Sequence, residues 1–388
     1  MERGRRATGH SDLRRLESVA HARRARPRFG DDDRQERIRG LTLSAALDLA
    51  SPEFYPLQVD LERRAVGLLR LSEAAYAEAG FLDERLLETA PDIVWADWPT
   101  LAAAARAVGG ESDFIFHIGH VGSTLIARLL GRHRREFALR EPGLLRSVAA
   151  LRAEAGFSDA FLVMLKLYAR VWRPGQRSLV KATSFVADLG SEALDCFPSA
   201  KAILMVTAPQ VFIATLLAGE ANRAELPRMT RVRMGRLGRR LGRPLFSAAA
   251  SEGEMAAAGW ACEMCALADI AIRFPSRTLW LDFDRFLADA PFGLLKVARH
   301  LDPGFGADDV AIMLSGPELG QYSKAPEQAF DAARRHEVIG EAMHRHGQEI
   351  QRGLAWLDAA AKAHPVIARA SQVAAAAGRA FSLDRGRG

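Results

Sequence analysis

The chain is poor in cysteine. Three thiols, Cys196, Cys262 and Cys265, stand among 388 residues. That is too few for a disulfide framework, so a reducing, cytoplasmic compartment is expected. Cys262 and Cys265 form a C-x-x-C, but no second pair of ligands at zinc spacing accompanies them. They sit in an Ala- and Met-rich helical pattern and read as buried thiols. The first 30 residues hold no apolar core segment, so no signal peptide is expected. Long apolar runs are also scarce. The longest uncharged stretch, residues 202–219, is divided by Pro209 and Gln210 into AILMVT and VFIATLLAG. A buried parallel strand followed by a buried helix fits that pattern better than a membrane span. Internal repeats and low-complexity linkers are absent, which favours one main domain with extensions.

The charge is not uniform. Of the formal +6, residues 1–40 contribute 12 arginines against seven acidic residues. This segment lacks apolar periodicity and reads as a mostly disordered basic arm. The rest of the chain is nearly balanced, so nucleic-acid binding by a basic body is not indicated. One internal run is the exception. Arg223, Arg228, Arg231, Arg233, Arg236, Arg239, Arg240 and Arg243 face Glu225 alone. Such a run is usually a solvated face, but Arg also suits phosphate and sulfate through its planar fork.

What is present begins at residues 114–130, FIFHIGHVGSTLIARLL. The pattern predicts a buried strand over 114–118, a glycine turn and a helix over 122–131. Gly119 and Gly122 allow backbone N–H groups to approach an anion. Ser123 and Thr124 fall where the helix starts, and a helix N-terminus with small hydroxyls suits phosphate. The plain alternative is a tight structural turn with Ser123 as a cap. The nucleotide-triphosphatase pattern G-x-x-x-x-G-K-[ST] is not met, since no Lys precedes Ser123 and His120 is the nearest basic side chain.

Further short strands are expected at 137–140, 179–181, 202–206 and 278–281. Helices are expected at 143–155, 158–172 and 187–197. Strands alternating with helices predict an α/β fold, a parallel sheet with helices on both faces. The predicted organisation is a basic arm over 1–40 and a helical extension over 41–110, amphipathic at 44–50 and 72–88. The sheet domain spans 111–330, and C-terminal helices and a tail span 331–388, the helical pattern starting near 325.

In order and spacing, several segments resemble the sulfotransferase family that uses phosphoadenosine phosphosulfate (PAPS). The resemblance runs from about residue 114 to 327, over half of the chain. HIGHVGSTLIARLL is similar to that family's loop for the 5′-phosphosulfate. LREPGLL, residues 139–145, resembles the segment that carries a catalytic Glu in one branch. LVKATSF, residues 179–185, resembles that branch's K-[ST]-x motif. FPSAKAILMVTAP, LDFDRFLADAP and YSKAPE are similar to the strand toward the 3′-phosphate, a frequent acidic element and the basic loop over that phosphate.

The resemblance implies a P-loop sulfotransferase-like fold with added N- and C-terminal helices. It implies PAPS as sulfuryl donor, no metal, and a small-molecule or glycan acceptor with a hydroxyl or amine. It implies Glu141 as general base, where an ion pair with Arg140 or Arg146 is the plain alternative. Lys181 and His120 would join Glu141 in catalysis, and a strand-end surface lysine is the plain reading of Lys181. Gly119, Gly122, Ser123, Thr124, Ser184, Thr215, Arg223 and Lys324 would hold the nucleotide. Two departures stand out: His120 occupies the place of the family's loop Lys, and Thr207 the place of its 3′-phosphate Arg. A non-catalytic nucleotide-binding descendant and a P-loop small-molecule kinase are therefore alternatives, the latter needing Mg²⁺ and normally a loop Lys.

Overall fold

Strand β1 (Phe54–Asp60) and strand β2 (Ala65–Arg70) pair as an antiparallel hairpin, and β3 (Ile93–Asp97) adds to the free edge of β2. This corrects the expectation of a helical 41–110. Among its described residues, helix is confined to α1 (Glu73–Glu78), a 3-10 turn at Glu84–Glu88 and α2 (Trp98–Ala107). The reason lies in the short apolar runs. FYPLQVD and AVGLLR are too brief for their period to separate strand from helix, and pairing across residues 61–64 decides the matter. The computed structural model describes residues 48–88, 90, 92–154, 156–243, 250–322, 325–329 and 331–383. The arm expected over 1–40, residues 44–47 and Lys324 lie outside them.

Five strands build the main sheet among the described residues: β4 (Ser112–His117), β5 (Glu136–Arg140), β6 (Arg177–Lys181), β7 (Ala202–Val206) and β8 (Thr278–Asp282). Their order is β5-β6-β4-β7-β8, and every neighbouring pair is parallel. All residues of β4, β5 and β7 are buried, as a parallel sheet covered on both faces requires. The helices that cover it include α3 (Ser123–Gly131), α4 (Leu144–Ala150), α5 (Phe157–Tyr168) and α6 (Gly190–Cys196). The helix expected over 187–197 is a 3-10 segment, Ser184–Leu189, running into α6. The protein is thus an α/β fold around a five-stranded parallel sheet, with additional helices at its C-terminal end.

The uncharged stretch 202–219 forms β7 and the buried helix α7 (Pro209–Ala218). The Arg-rich segment is α8 (Glu220–Leu241), and α9 (Glu252–Arg273) packs along it. Helix α9 starts at a capping box between Ser251 and Glu254. It is long and apolar enough to cross a membrane, and most of it is buried inside the fold; it carries Cys262 and Cys265. After β8 come α10 (Phe283–Ala288), α11 (Ala290–Leu301) and α12 (Ala307–Leu314). Residues 325–329 are a short strand rather than the start of a helix, and helix begins with α13 (Ala332–Arg345), followed by α14 (Gly347–Ala363) and α15 (Pro365–Leu383). Helix α13 packs against α7 and α10, so it reaches the carboxyl edge of the sheet.

Candidate functional site

Parallel strands deliver their carboxyl ends to one edge, and open α/β sheets bind ligands there. At this edge lies a cavity of about 780 Å³. The turn after β4 forms its floor. Gly119, His120 and Gly122 have φ of +93°, +55° and +64°, so three of four consecutive residues are left-handed. Gly122 is the N-cap of α3 and offers no side-chain cap, which leaves the first-turn N–H groups of the helix to a ligand. Ser123 and Thr124 are buried and line the cavity. His117 pins the turn from below. Its Nδ1 accepts from the Gly119 N–H at 3.0 Å, so Nε2 carries the proton and donates to the Ala182 carbonyl at 2.9 Å.

Glu141 and Lys181 end adjacent strands. The Glu141 N–H donates to the Lys181 carbonyl at 2.7 Å, and the two side chains form a close ion pair. Lys181 is only 1% exposed, so it is not a surface lysine. The Glu141 carboxylate also lies 3.5 Å from Arg146 Nη2, and Arg146 donates to the Thr183 hydroxyl. Arg140 turns away and donates to carbonyls of Tyr76, Ala77 and Ala79. Glu141 has φ of +51°, a conformation unfavourable to a side chain of its size and met mainly where surrounding structure enforces it. Strand end, left-handed backbone and buried lysine together fix the carboxylate at the cavity wall.

The rest of the cavity's lining comes from α7, α8, α10 and α13. Phe283, Leu216, Met229, Val338 and Ile339 make an apolar wall, and Arg228, Arg233, Arg334 and Arg335 border it. Phe283 stands over the glycine turn: a Cβ on Gly122 would lie 2.0 Å from its ring. Arg335 faces the same ring at 5.0 Å, and its Nε donates to Asp284 at 2.8 Å. Asp284 in turn accepts from the Thr207 hydroxyl. The Arg335 Nη2 is buried without a hydrogen-bond partner among the described residues. A cation from α13 is therefore tied to the strand end where Thr207 stands.

The cavity gathers Gly119, His120, Gly122, Ser123, Thr124, Glu141, Lys181, Ser184 and Thr215, all singled out from sequence. Thr215 donates its hydroxyl to the Val211 carbonyl one turn back at 2.7 Å, leaving its oxygen to accept. Arg223 is not brought in. It pairs with Glu252 of α9 at 3.0 Å and does not line the cavity, although its neighbours Asn222 and Glu225 on α8 do. This corrects its assignment. Arg233 and Arg335 were missed. The Arg run was the signal for the first; nothing local in the sequence marks the second, which reaches Asp284 from 51 positions away. Among the described residues no group of His, Cys, Asp and Glu is arranged to hold a metal ion.

No protein-family description matches the chain, and no curated protein does. Solved structures similar to it include a sulfotransferase domain from the curacin biosynthetic pathway, at 14% identity and a TM-score of 0.39, covering 64% of this chain and 98% of that one. A sulfotransferase domain from the Synechococcus PCC 7002 olefin synthase aligns at 16% identity and a TM-score of 0.36, covering 59% of this chain and 89% of that one.

Proposed function

We propose that the protein is a sulfotransferase that moves the sulfuryl group of PAPS to a hydroxyl or amine. The observation that carries this reading is the Glu141–Lys181 pair held at the wall of a cavity whose floor is the anion-ready turn 119–124. Transfer needs a base for the acceptor proton, cations or N–H donors for the transferring and leaving groups, and an in-line approach. The acceptor oxygen or nitrogen attacks sulfur, and its proton passes to Glu141. The bond from sulfur to the bridging oxygen breaks, and adenosine 3′,5′-bisphosphate leaves with the electron pair. Lys181, within reach of the same carboxylate, holds the sulfuryl oxygens, and His120 adds a second donor from the turn. The first-turn N–H groups of α3, with the Ser123 and Thr124 hydroxyls, take the 5′-phosphate. Ser184 stands beside Gly119 and joins them; Thr215, Arg334 and Arg335 line the part of the cavity proposed for the 3′-phosphate, and the apolar wall suits a purine.

The kinase reading has less support, because the turn carries no Lys to reach outer phosphates. Calorimetry with adenosine 3′,5′-bisphosphate and with ATP–Mg²⁺ separates the two readings. Binding of the bisphosphate without metal is the expected result, and binding only of ATP with Mg²⁺ rejects the proposal. Glu141→Gln keeps the shape of the side chain but cannot take the proton. It should reduce sulfuryl transfer from PAPS to a panel of alcohols and amines by about a hundred- to ten-thousandfold, with nucleotide affinity nearly unchanged. A parent that binds the bisphosphate yet transfers to no acceptor in the panel favours the non-catalytic descendant.

A further inference from the structure

The turn 119–124 lacks a cation of its own, and Lys181 is engaged by Glu141. An anion seated on the turn meets neutral N–H and hydroxyl donors and the partial positive charge of the helix end, about half a unit charge. Helix α8 brings a full charge to the same place. The Arg233 side chain is 7% exposed, and its Nε donates to Glu263 at 2.9 Å. Its Nη2 reaches the turn: an ideal Cβ on Gly119 would lie 3.7 Å from it. Its Nη1 faces Gly259 of α9, and its guanidinium lies 5.0 Å from the Phe185 ring.

The charges around Arg233 leave it available. Glu263 is fully buried and accepts from both terminal nitrogens of Arg236, at 2.8 and 3.0 Å. Asp188 accepts from Arg236 and Arg240, at 2.6 and 2.8 Å. The interior of this network holds Arg233, Arg236 and Arg240 against Glu263 and Asp188, and the further acid, Asp269 beside Arg240, is half exposed. A buried cation without a full partner is costly unless an anion completes it. Of its terminal nitrogens, Nη2 lies on the side of the turn, and Arg233 lines the cavity.

We infer that Arg233 is the cation of the glycine turn. It occupies in space the role that a lysine inside the turn would fill, donating through its planar fork to oxygens of a phosphate, sulfate or pyrophosphate group, while Glu263 fixes its direction. The identity of that group as the phosphosulfate end of PAPS rests on the proposed sulfotransferase function; the anion site does not.

The test uses two probes, adenosine 3′,5′-bisphosphate and inorganic pyrophosphate, titrated by calorimetry against the full chain, with thermal unfolding measured alongside. Arg233→Gln and Arg233→Met leave Glu263 paired with Arg236, so both are expected to fold. Both should weaken binding of each probe about tenfold or more, and Arg233→Lys, which keeps the charge, should recover part of the loss. Gly259→Ala perturbs Arg233 from behind. Its Cβ would lie 3.3 Å from Nη1 and 3.4 Å from Cδ, so the guanidinium must shift by a few tenths of an ångström. This variant should lose affinity for both probes with its melting temperature kept or raised, since Ala favours helix. Arg233→Gln binding both probes as the parent does overturns the inference, and so does a parent that binds neither. If the parent binds pyrophosphate but not the bisphosphate, and Arg233→Gln abolishes that binding, the inference stands and the PAPS reading falls. Should both the Gln and Met variants fail to fold, unchanged affinities in Gly259→Ala overturn it.

Discussion

Gly122 is where backbone conformation and packing constrain the site most tightly, and Gly122→Ala is the perturbation that exposes this. The added Cβ meets two penalties. The residue sits at φ +64°, where a side chain costs about 1–2 kcal/mol. It would also lie 2.0, 2.2 and 2.6 Å from three carbons of the Phe283 ring. Relief requires that the ring or the turn move, and overpacking of this kind typically costs about 1–3 kcal/mol. The expected loss is about 2–5 kcal/mol, read as a lowered urea midpoint at unchanged slope. Gly119→Ala separates the two penalties. Its φ of +93° carries strain, but the nearest side-chain atoms stand at 3.7 Å, so overpacking is absent. Adding Phe283→Leu to Gly122→Ala should recover the steric part, giving a favourable coupling of about 1–3 kcal/mol in a double-mutant cycle. Nucleotide affinity should also fall further in Gly122→Ala than in Gly119→Ala, because the displaced ring faces Arg335. A Gly122→Ala protein as stable as Gly119→Ala, or a cycle with no coupling, would refute the view that Phe283 clamps the turn.

Three further outcomes are expected. Ser123→Ala with Thr124→Ala should weaken bisphosphate binding by about 1–3 kcal/mol for each hydroxyl removed, without unfolding the protein; calorimetry showing parent-like affinity makes the turn purely structural. Arg335→Ala should erase a preference for adenosine 3′,5′-bisphosphate over adenosine 5′-phosphate, whereas Arg223→Ala, paired with Glu252 outside the cavity, should retain it. Glu136 gives a pH signature: burial, with Asp113 adding to it, pushes its pKa up to about 8, and neither carboxyl oxygen has a hydrogen-bond partner among the described residues. Its folded pKa lies above the unfolded one, so the stability tied to its proton is complete below about pH 4.5 and is lost as pH rises toward 8. The parent should therefore lose up to about 1.4 kcal/mol per pH unit across that window relative to Glu136→Gln, and parallel denaturant midpoints at pH 5.5 and 7.5 would exclude the effect.

The sheet was legible because its strands are short runs with apolar centres. The predicted 202–206 is β7 itself, and 137–140 and 179–181 fall within β5 and β6. The Glu141–Lys181 pair was legible for the same reason. Glu141 and Lys181 each close such a strand, and parallel pairing of β5 with β6 sets Arg140 opposite Lys181 and the two strand ends side by side. The N-terminal extension was misread as helical where apolar runs of a few residues gave no period, and its strands exist through partners that sequence spacing does not reveal.

The Arg run shows a different limit. Its hydrophobicity is low throughout, and a segment of that composition reads as a solvated face. Its spacing held more than its composition. Arg233, Arg236 and Arg240 recur at intervals of three and four, which places them on one face of α8. That face is buried because the compensating acids arrive from elsewhere: Glu263 from the middle of α9 and Asp188 from the 3-10 segment after β6. Asp188 stays below the usual carboxylate range despite burial, through Arg236 and Arg240. Burial likewise works against the charge on Arg236, yet Glu263 above all holds its pKa well above the ordinary value. Hydrophobic periodicity cannot report such a face, since it is polar on both sides of the contact. Charge periodicity can, once a helix presents cations every three to four residues and a neighbouring helix carries an acid in its apolar middle, as α9 carries Glu263. On that criterion Arg223, three positions before Leu226 and outside the repeat, drops out, and Arg233 at the start of the repeat becomes the residue nearest the turn.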